Sequence, residues 1–265
     1  MSHDSIRARL NLYAVLPDLE DVVRDDPEMR ALVSEARITI RFLVAGGPTA
    51  WVRFADGVCS VGRGSGPGGS SDVSGAIPSV ILSFTSASHL NKMFDGTGSP
   101  IPLWGFNHLG FLKNELTQLT ERMAYYLAPS DELLAHPGYL AMNTQLTLNT
   151  AAFAVPELLE SDPDCRPLRH ALGSGTIVLK VLPDGPSVSL VCGASGVIPV
   201  KGELPHPSAL ILLRDVGAAN AFLNGKLDTF VAAVTGDVQI WGQIDKVDAL
   251  ALVLDRVAKY LNPAT

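Results

Sequence analysis

The stretch Leu119-Thr-Glu-Arg-Met-Ala-Tyr-Tyr-Leu127 returns near the end of the chain as Val253-Leu-Asp-Arg-Val-Ala-Lys-Tyr-Leu261, 134 positions later. Both segments carry apolar residues at helical spacing, and each has an arginine at its fourth position. A helical pattern that returns at such a distance indicates an internal repeat, which must be recognised before any single motif is interpreted.

Further matches precede these helices in the same order in both halves. Asn91-Lys-Met-Phe-Asp-Gly96 corresponds to Asn220-Ala-Phe-Leu-Asn-Gly225, and a Trp-Gly pair follows at Trp104-Gly105 and Trp241-Gly242. Seven segments match in this way, with offsets of 129 to 139 residues. We therefore predict two tandem copies of one unit, with the first over residues 1–127, a connector over 128–147 and the second over 148–265.

Each copy predicts the same order of helices and strands. Asp26 and Asp162 are N-cap candidates, because each precedes a proline at what would be the first helical position. A hairpin around Pro183-Asp-Gly-Pro186 leads to further strands, two short helices, a last strand at Val238–Trp241 and an amphipathic closing helix over Lys246–Leu261. This order predicts the α+β class, with an antiparallel or mixed sheet.

Composition excludes several classes of function. The chain has 265 residues, 47% hydrophobic and 18% charged, without the ~18 continuous apolar residues of a membrane span. Its first residues are polar and do not form a secretory signal, so we expect no integral membrane association and a cytoplasmic location. A formal charge of −7 and the lack of a basic cluster argue against nucleic acid as a partner.

The sequence shows no catalytic or metal-binding pattern. Its six histidines are scattered, and its three cysteines have no CxxC spacing, so we expect no metal, no cofactor and no enzymatic activity. The glycine-rich stretch Arg63–Gly75 lacks the GK[ST] of a phosphate-binding loop and predicts a mobile loop between strands. We interpret Arg122 and Arg256, in the two closing helices, as solvated surface residues. The alternative is that they bind the carboxyl group of a lipid.

One segment of the second copy resembles a known family. Leu223-Asn-Gly-Lys-Leu-Asp228, followed by Gly236-Asp-Val-Gln-Ile-Trp-Gly242 and a terminal helix, is similar to the sterol carrier protein type-2 family. The resemblance implies a five-stranded sheet covered by helices, with an apolar tunnel for fatty acyl chains or sterols. By position, the candidate ligand-binding residues are Phe222, Leu223, Phe230, Val231, Val234, Ile240 and Trp241.

The first copy departs from this pattern. Gly96 and Trp104 are 8 positions apart, whereas Gly225 and Trp241 are 16 apart. The missing residues equal one short helix, and Pro100 and Pro102 disfavour a helix there. We therefore expect the ligand in the second copy, and a collapsed or one-sided tunnel in the first.

The sequence thus predicts a non-catalytic carrier whose partner is an apolar small molecule or lipid. Burial of an acyl chain gains about 0.8 kcal/mol per methylene, so such binding needs no polar apparatus. The alternative is a structural or protein-interaction module with filled cores, in which the apolar surplus serves a contact between the copies or a homo-oligomer. For each of the seven candidate ligand-binding residues, the alternative is that it belongs to an ordinary protein core.

Overall fold

The computed structural model describes residues 1–66, 77–227 and 229–261, and the side chains of residues 229 and 230 lie outside that description. Most of the predicted glycine-rich loop therefore lies outside the described residues. The chain divides into two compact units, Met1–Tyr125 and Tyr126–Thr265. The proposed connector, residues 128–147, belongs to the second unit and contains helical segments.

The first unit begins with helices and continues into a sheet. Its strands are β1 (Ile38–Val44), β2 (Thr49–Ala55), β3 (Val58–Arg63), β4 (Ser79–Phe84) and β5 (Ile101–Trp104). Its helices are α1 (His3–Leu10), α2 (Asp18–Asp25), α3 (Pro27–Leu32), α4 (Ala87–Phe94), α5 (Leu109–Phe111) and α6 (Thr117–Leu127). π-helical turns at Asn11–Val15 and Leu112–Leu116 and a 3-10 turn at Phe106–His108 complete the described path.

The second unit repeats this order with longer helices. Its strands are β6 (Gly175–Val181), β7 (Ser187–Gly193), β8 (Gly196–Lys201), β9 (Ala209–Leu213) and β10 (Val238–Gly242). Its helices are α7 (Asp131–Leu134), α8 (Pro137–Ser161), α9 (Leu168–Leu172), α10 (Val216–Leu223), α11 (Thr229–Thr235) and α12 (Ile244–Leu261). The predicted short helices, last strand and closing helix are all present, with ends that agree within two residues where the structure describes them.

The two sheets share one topology. Their strand orders are β3-β2-β1-β4-β5 and β8-β7-β6-β9-β10. The central pairs β1/β4 and β6/β9 are parallel, and the other neighbours are antiparallel. The prediction of an α+β fold with mixed five-stranded sheets is confirmed. Descent of both units from one duplicated ancestor is our interpretation of this shared order.

One face of each sheet forms the core. In the first unit Ile40 and Phe42 of β1 and Leu82 of β4 are buried, with partly exposed residues between them. In the second unit Leu179 and Ile211 occupy the same face of β6 and β9, and both are buried. Helix α8 packs on β7 and β8, and α12 packs on α8 and α9. This face therefore lies under the helices of its own unit.

The two N-cap predictions have different outcomes. Asp26 caps α3, because its Oδ1 accepts from the N–H groups of Glu28 and Met29 at 2.9 and 3.3 Å. Asp162 instead ends α8, and residues 163–167 form turns before α9 begins at Leu168, so the helix predicted to start at Pro163 is wrong. Pro167 has no N–H to give to the carbonyl of Pro163, so a regular α-helix cannot form across this segment.

The first unit has no counterpart of α11. Described residues 95–100 contain no helix, and β5 follows α4 directly, as the short spacing and the two prolines predict. None of the described helices is long and apolar enough to cross a membrane.

Candidate apolar binding site

The seven candidate residues lie on three consecutive elements of the second unit. Phe222 and Leu223 end α10 and are half-buried. Val231 and Val234 of α11, with Ile240 and Trp241 of β10, are exposed. The side chain of Phe230 lies outside the described part. In this structure four of the seven candidates are therefore surface residues.

The edge position of β10 explains the exposure of its side chains. This strand has only β9 as a neighbour in the sheet, and it pairs Ile240 with Ile211 and Trp241 with Leu210. Ile240 lies on the same face as the buried Val238, but the helices cover only the start of the strand. Trp241 lies on the opposite face with 62% of its surface exposed. Both faces of β10 therefore present apolar side chains to solvent.

Helix α11 and the start of α12 carry further exposed apolar side chains. Val231 and Val234 are one helical turn apart on one side of α11, and Val234 is 74% exposed, whereas Ala232 is buried. Ile244, the first residue of α12, is also exposed. We call the set Val231, Val234, Ile240, Trp241 and Ile244 the apolar edge. Grouped exposed apolar residues mark binding surfaces more often than scattered ones do.

The repeated Trp-Gly pair has a structural reason. Gly242 has a φ of +89°, and a Cβ there would overlap the backbone carbonyl of Ser208. Gly105 has a φ of +82°, and a Cβ there would lie 2.6 Å from the carbonyl oxygen of Ser79. Only glycine fits this close approach in a left-handed conformation. Each glycine holds the end of an edge strand against the start of its neighbour, with a tryptophan exposed beside it.

The first unit has a similar surface that the sequence reasoning missed. Ile101, Leu103 and Trp104 of β5 are exposed, as is Phe106 just after the strand. Trp104 pairs with Ile81 of β4, the position that corresponds to Leu210 in β9. The matched Trp-Gly pairs are the feature of the sequence from which this surface could have been predicted.

The two closing-helix arginines are ion-paired, which corrects their interpretation as solvated surface. Arg256 binds the buried Asp162 with Nε and Nη2, both at 2.9 Å, and Nη2 also lies 2.9 Å from Asp164. Arg122 lies 3.4 Å from the N-cap Asp26 and pairs with Glu28. Each arginine thus binds the Asp of the Asp-Pro pair in its own half.

The carboxylate of Asp162 is held in its charged form. Burial raises its pKa, but the N–H of Asp164 and the side chains of Arg256 and Tyr260 all donate to it, and the net pKa lies below the ordinary value. The hydroxyl of Tyr260 donates at 3.0 Å, and burial together with that carboxylate raises its pKa.

The cysteines have the character of structural residues. All three are free and buried. Burial and the nearby Asp162 raise the pKa of Cys165 to about 11, and burial raises the pKa of Cys192. Protonated thiols are poor nucleophiles, so neither supports thiol chemistry at neutral pH. Within the described ranges, no three His, Cys, Asp or Glu side chains are grouped as a metal site would require.

A shallow cleft of about 300 Å³ lies in the first unit. It is lined by Met29, Gln118, Glu121, Arg122 and Tyr125. None of the seven candidate residues lines it, and the arginine in its wall is already paired with two carboxylates.

Comparison with known proteins finds similarity among solved structures. No family model matches the sequence. No curated protein matches it either. Sterol carrier protein 2 from Yarrowia lipolytica, in its apo form, is 18% identical, with 42% of this chain and 91% of that chain covered and a TM-score of 0.32. The sterol carrier protein domain 2 of Helicoverpa armigera is 16% identical, with 43% and 89% covered and a TM-score of 0.34.

A third similar structure bears the name UbiJ-SCP2 ubiquinone synthesis protein. It is 16% identical, with 40% of this chain and 90% of that chain covered and a TM-score of 0.32. These three structures carry the name of the family that the glycine-framed segment resembles.

Proposed function

We propose that the second unit binds an apolar ligand, a fatty acyl chain, a sterol or another lipid, along the apolar edge, and that the protein acts as a soluble, non-catalytic carrier. The observation that carries this proposal is the exposure of Val234 and Trp241 beside Ile240 on adjoining elements. The family resemblance implies a ligand at these positions.

The physical case rests on removing these side chains from water. Covering apolar surface gains about 25 cal/mol per Å², and each methylene of the ligand adds about 0.8 kcal/mol. Loss of ligand freedom on binding opposes these gains. The exposed valine pair and isoleucine, with the indole ring on the other face of β10, are apolar groups of which a long acyl chain covers more than a short one.

The experiment is a calorimetric titration of the purified chain with saturated acyl ligands of 8 to 16 carbons. Mass spectrometry of organic extracts separately detects any lipid that co-purifies with the chain. We expect affinity to rise with chain length. Trp241→Ser should weaken binding by roughly tenfold, because it removes the largest apolar side chain of the edge.

The matched control is Trp104→Ser, which removes the corresponding exposed indole of the first unit. It should leave the affinity unchanged. Equal loss in both variants would show that the ligand is not held specifically by the second unit. No binding at any chain length would reject the proposal.

A second candidate function is a protein-interaction module. The observation that favours it is that two of the exposed candidates, Ile240 and Trp241, lie on an edge strand, where a further strand or a second copy can pair. Sedimentation velocity over a range of concentrations tests it. Association that Trp241→Ser abolishes, without any lipid binding, would support this function over the carrier.

A further inference from the structure

The two described sheets have four edge strands, and three of them are closed to a further strand. The edges are β3 and β5 in the first unit and β8 and β10 in the second. The N–H of Val61 in β3 donates to Glu20 Oε1 at 2.8 Å, so a side chain of α2 already occupies that edge. Pro102 lies inside β5 and Pro199 inside β8, and a proline has no N–H to offer to a new strand. Natural sheets protect their edges by such means.

The fourth edge strand, β10, directs the backbone groups of alternate residues outward. Arg214 N–H donates to the carbonyl of Asp237 at 2.9 Å, and Gln243 N–H donates to the carbonyl of Ser208 at 3.0 Å. These two bonds bracket the pairing of β9 with β10. Backbone groups along an antiparallel strand alternate between facing its partner and facing away. The odd-numbered residues from 237 to 243 therefore face β9, and the even-numbered residues of β10 face outward.

The outward side of β10 is unprotected. The strand, Val238-Gln-Ile-Trp-Gly242, contains no proline and no charged residue. Across residues 1–66, 77–227 and 229–261, no side chain binds the outward N–H and C=O groups of its even-numbered residues. On the opposite edge, Gly202 N–H donates to the carbonyl of Ser187 at 2.8 Å, and this register turns the backbone of Pro199 outward. The sheet of the second unit is thus closed at β8 and open at β10.

We propose that β10 is a homodimer interface, in which it pairs with β10 of a second copy of this chain as antiparallel strands about a two-fold axis at Ile240. Because the backbone of Ile240 faces outward, it and Ile240 of the second copy can exchange both N–H···O=C bonds. The two sheets then join into one continuous sheet. The proposal deepens the second candidate function by naming the partner, and it does not depend on the carrier function.

Charge and symmetry favour a second copy as the occupant. From residue 236 to residue 243 the only charged residue is Asp237, which is paired with Arg214 and would lie opposite Gln243 of the second copy. No like charges therefore face each other across the two-fold axis. A two-fold interface uses the same patch on both partners. Since the described sheets leave one edge open in each molecule, the pairing closes as a dimer and does not continue into a fibre.

The side chains of β10 indicate the strength of this contact. On one face of the strand, the exposed Trp241 would lie opposite the exposed Gln239 of the second copy. On the other face, the two Ile240 side chains would meet, and each is 38% exposed in the single chain. Pairing of these five-residue strands should bury a total on the order of 1,000 Å², the low end for specific interfaces. We therefore expect a weak dimer with a dissociation constant of roughly 10 µM.

The test is sedimentation velocity of the lipid-free, full-length chain from about 1 µM to about 200 µM, a range that spans the expected dissociation constant. Ile240→Pro should weaken dimerisation by at least about tenfold, because it removes the central outward N–H and leaves the bonds to β9 intact. Ile198→Lys is the matched control. It replaces an exposed isoleucine of β8, the closed edge of the same sheet, and should leave the monomer–dimer equilibrium unchanged.

A charge exchange at Ile240 tests the two-fold register without the proline variant. Ile240→Lys and Ile240→Glu should each lose dimerisation alone, because like charges then face each other. An equimolar mixture of the two should regain it, because opposite charges meet at that position. Circular dichroism checks that each variant is folded.

Three results would overturn the homodimer proposal. The first is a wild-type chain that remains monomeric at about 200 µM, a concentration well above the expected dissociation constant. The second is dimerisation that persists in all three Ile240 variants, and the third is a Lys/Glu mixture that does not associate. The acyl-ligand titration tests the carrier function separately, so either proposal can fail while the other stands.

Discussion

At the scale of single residues, charge and backbone geometry explain what the repeated motifs do. The Asp-Pro pairs place Asp26 and Asp162 where an arginine of the closing helix meets them. The Trp-Gly pairs let an edge strand approach its neighbour more closely than any side chain would allow. These motifs recur because they hold each unit together, and their recurrence by itself carries no information about a ligand.

Asp162→Asn should lower the free energy of unfolding by about 3 kcal/mol at pH 7, because it leaves Arg256 facing a neutral group in a buried setting. Urea unfolding measures this change. Asp164→Asn is the control, since Asp164 binds the same arginine but is mostly exposed, and it should cost less than about 1 kcal/mol. Equal losses would contradict a special role for the buried carboxylate.

The same carboxylate predicts a pH dependence with a definite sign. The folded pKa of Asp162 is lowered, so its contribution is fully present above the unfolded value of about 3.9 and is lost as pH falls through the folded pKa. The stability difference between wild type and Asp162→Asn should therefore be constant from pH 7 to 5 and shrink below about pH 4. A stability difference between wild type and Asp162→Asn that grew on acidification would contradict this prediction.

Gly242→Ala should destabilise the second unit by at least about 2 kcal/mol, because a positive φ is combined with overlap on the Ser208 carbonyl. Gly225→Ala is the matched control. It has a φ of +65° with no atom within 4 Å of the new Cβ, so about 1 kcal/mol is expected. Thermal unfolding compares the two.

At the scale of elements, a buried asparagine joins the short helix to an opening helix in both units. Asn220 of α10 donates to Asn143 Oδ1 at 2.6 Å and to Thr144 Oγ1 at 3.1 Å, both in α8. In the first unit Asn11 donates to Asn91 Oδ1 at 3.1 Å. In the second unit the partner Asn143 lies within the continuous helix α8, whereas in the first unit Asn11 lies in a π-helical turn.

Asn220→Leu should lower the free energy of unfolding by about 2 kcal/mol, because the acceptor groups of Asn143 and Thr144 lose a buried donor. Asn114→Leu, at an exposed position of the first unit, should change it by less than about 0.5 kcal/mol. Denaturant unfolding of both variants checks the difference, and a negligible effect of Asn220→Leu would contradict a role in helix packing.

At the scale of the whole molecule, each unit has its own sheet, its own buried face and its own helices. The pairing of β10 with β9, which places the apolar edge, lies within residues 126–265. A domain with its own core and internal contacts is expected to fold independently.

The fragment 126–265 should therefore fold when produced alone, with cooperative urea unfolding and the acyl-chain affinity of the full chain. Circular dichroism and the same calorimetric titration check this. A fragment that lacked cooperative unfolding would show that the second unit needs the first.

Local pattern in the sequence was enough to predict the α+β class, the order of elements, the short helices of the second copy and the loss of one in the first. Periodicity, prolines and glycines act over a few residues, so these features can be read from the chain alone. Tertiary structure decided the rest. The apolar residues of β10 and α11 look like core residues in sequence, but an edge strand has one neighbour and helices cover only its start, so they lie exposed. The burial of Lys246 has no signal in the sequence, because it depends on contacts with Ser174 and Ser208, 72 and 38 positions away, that only folding brings together.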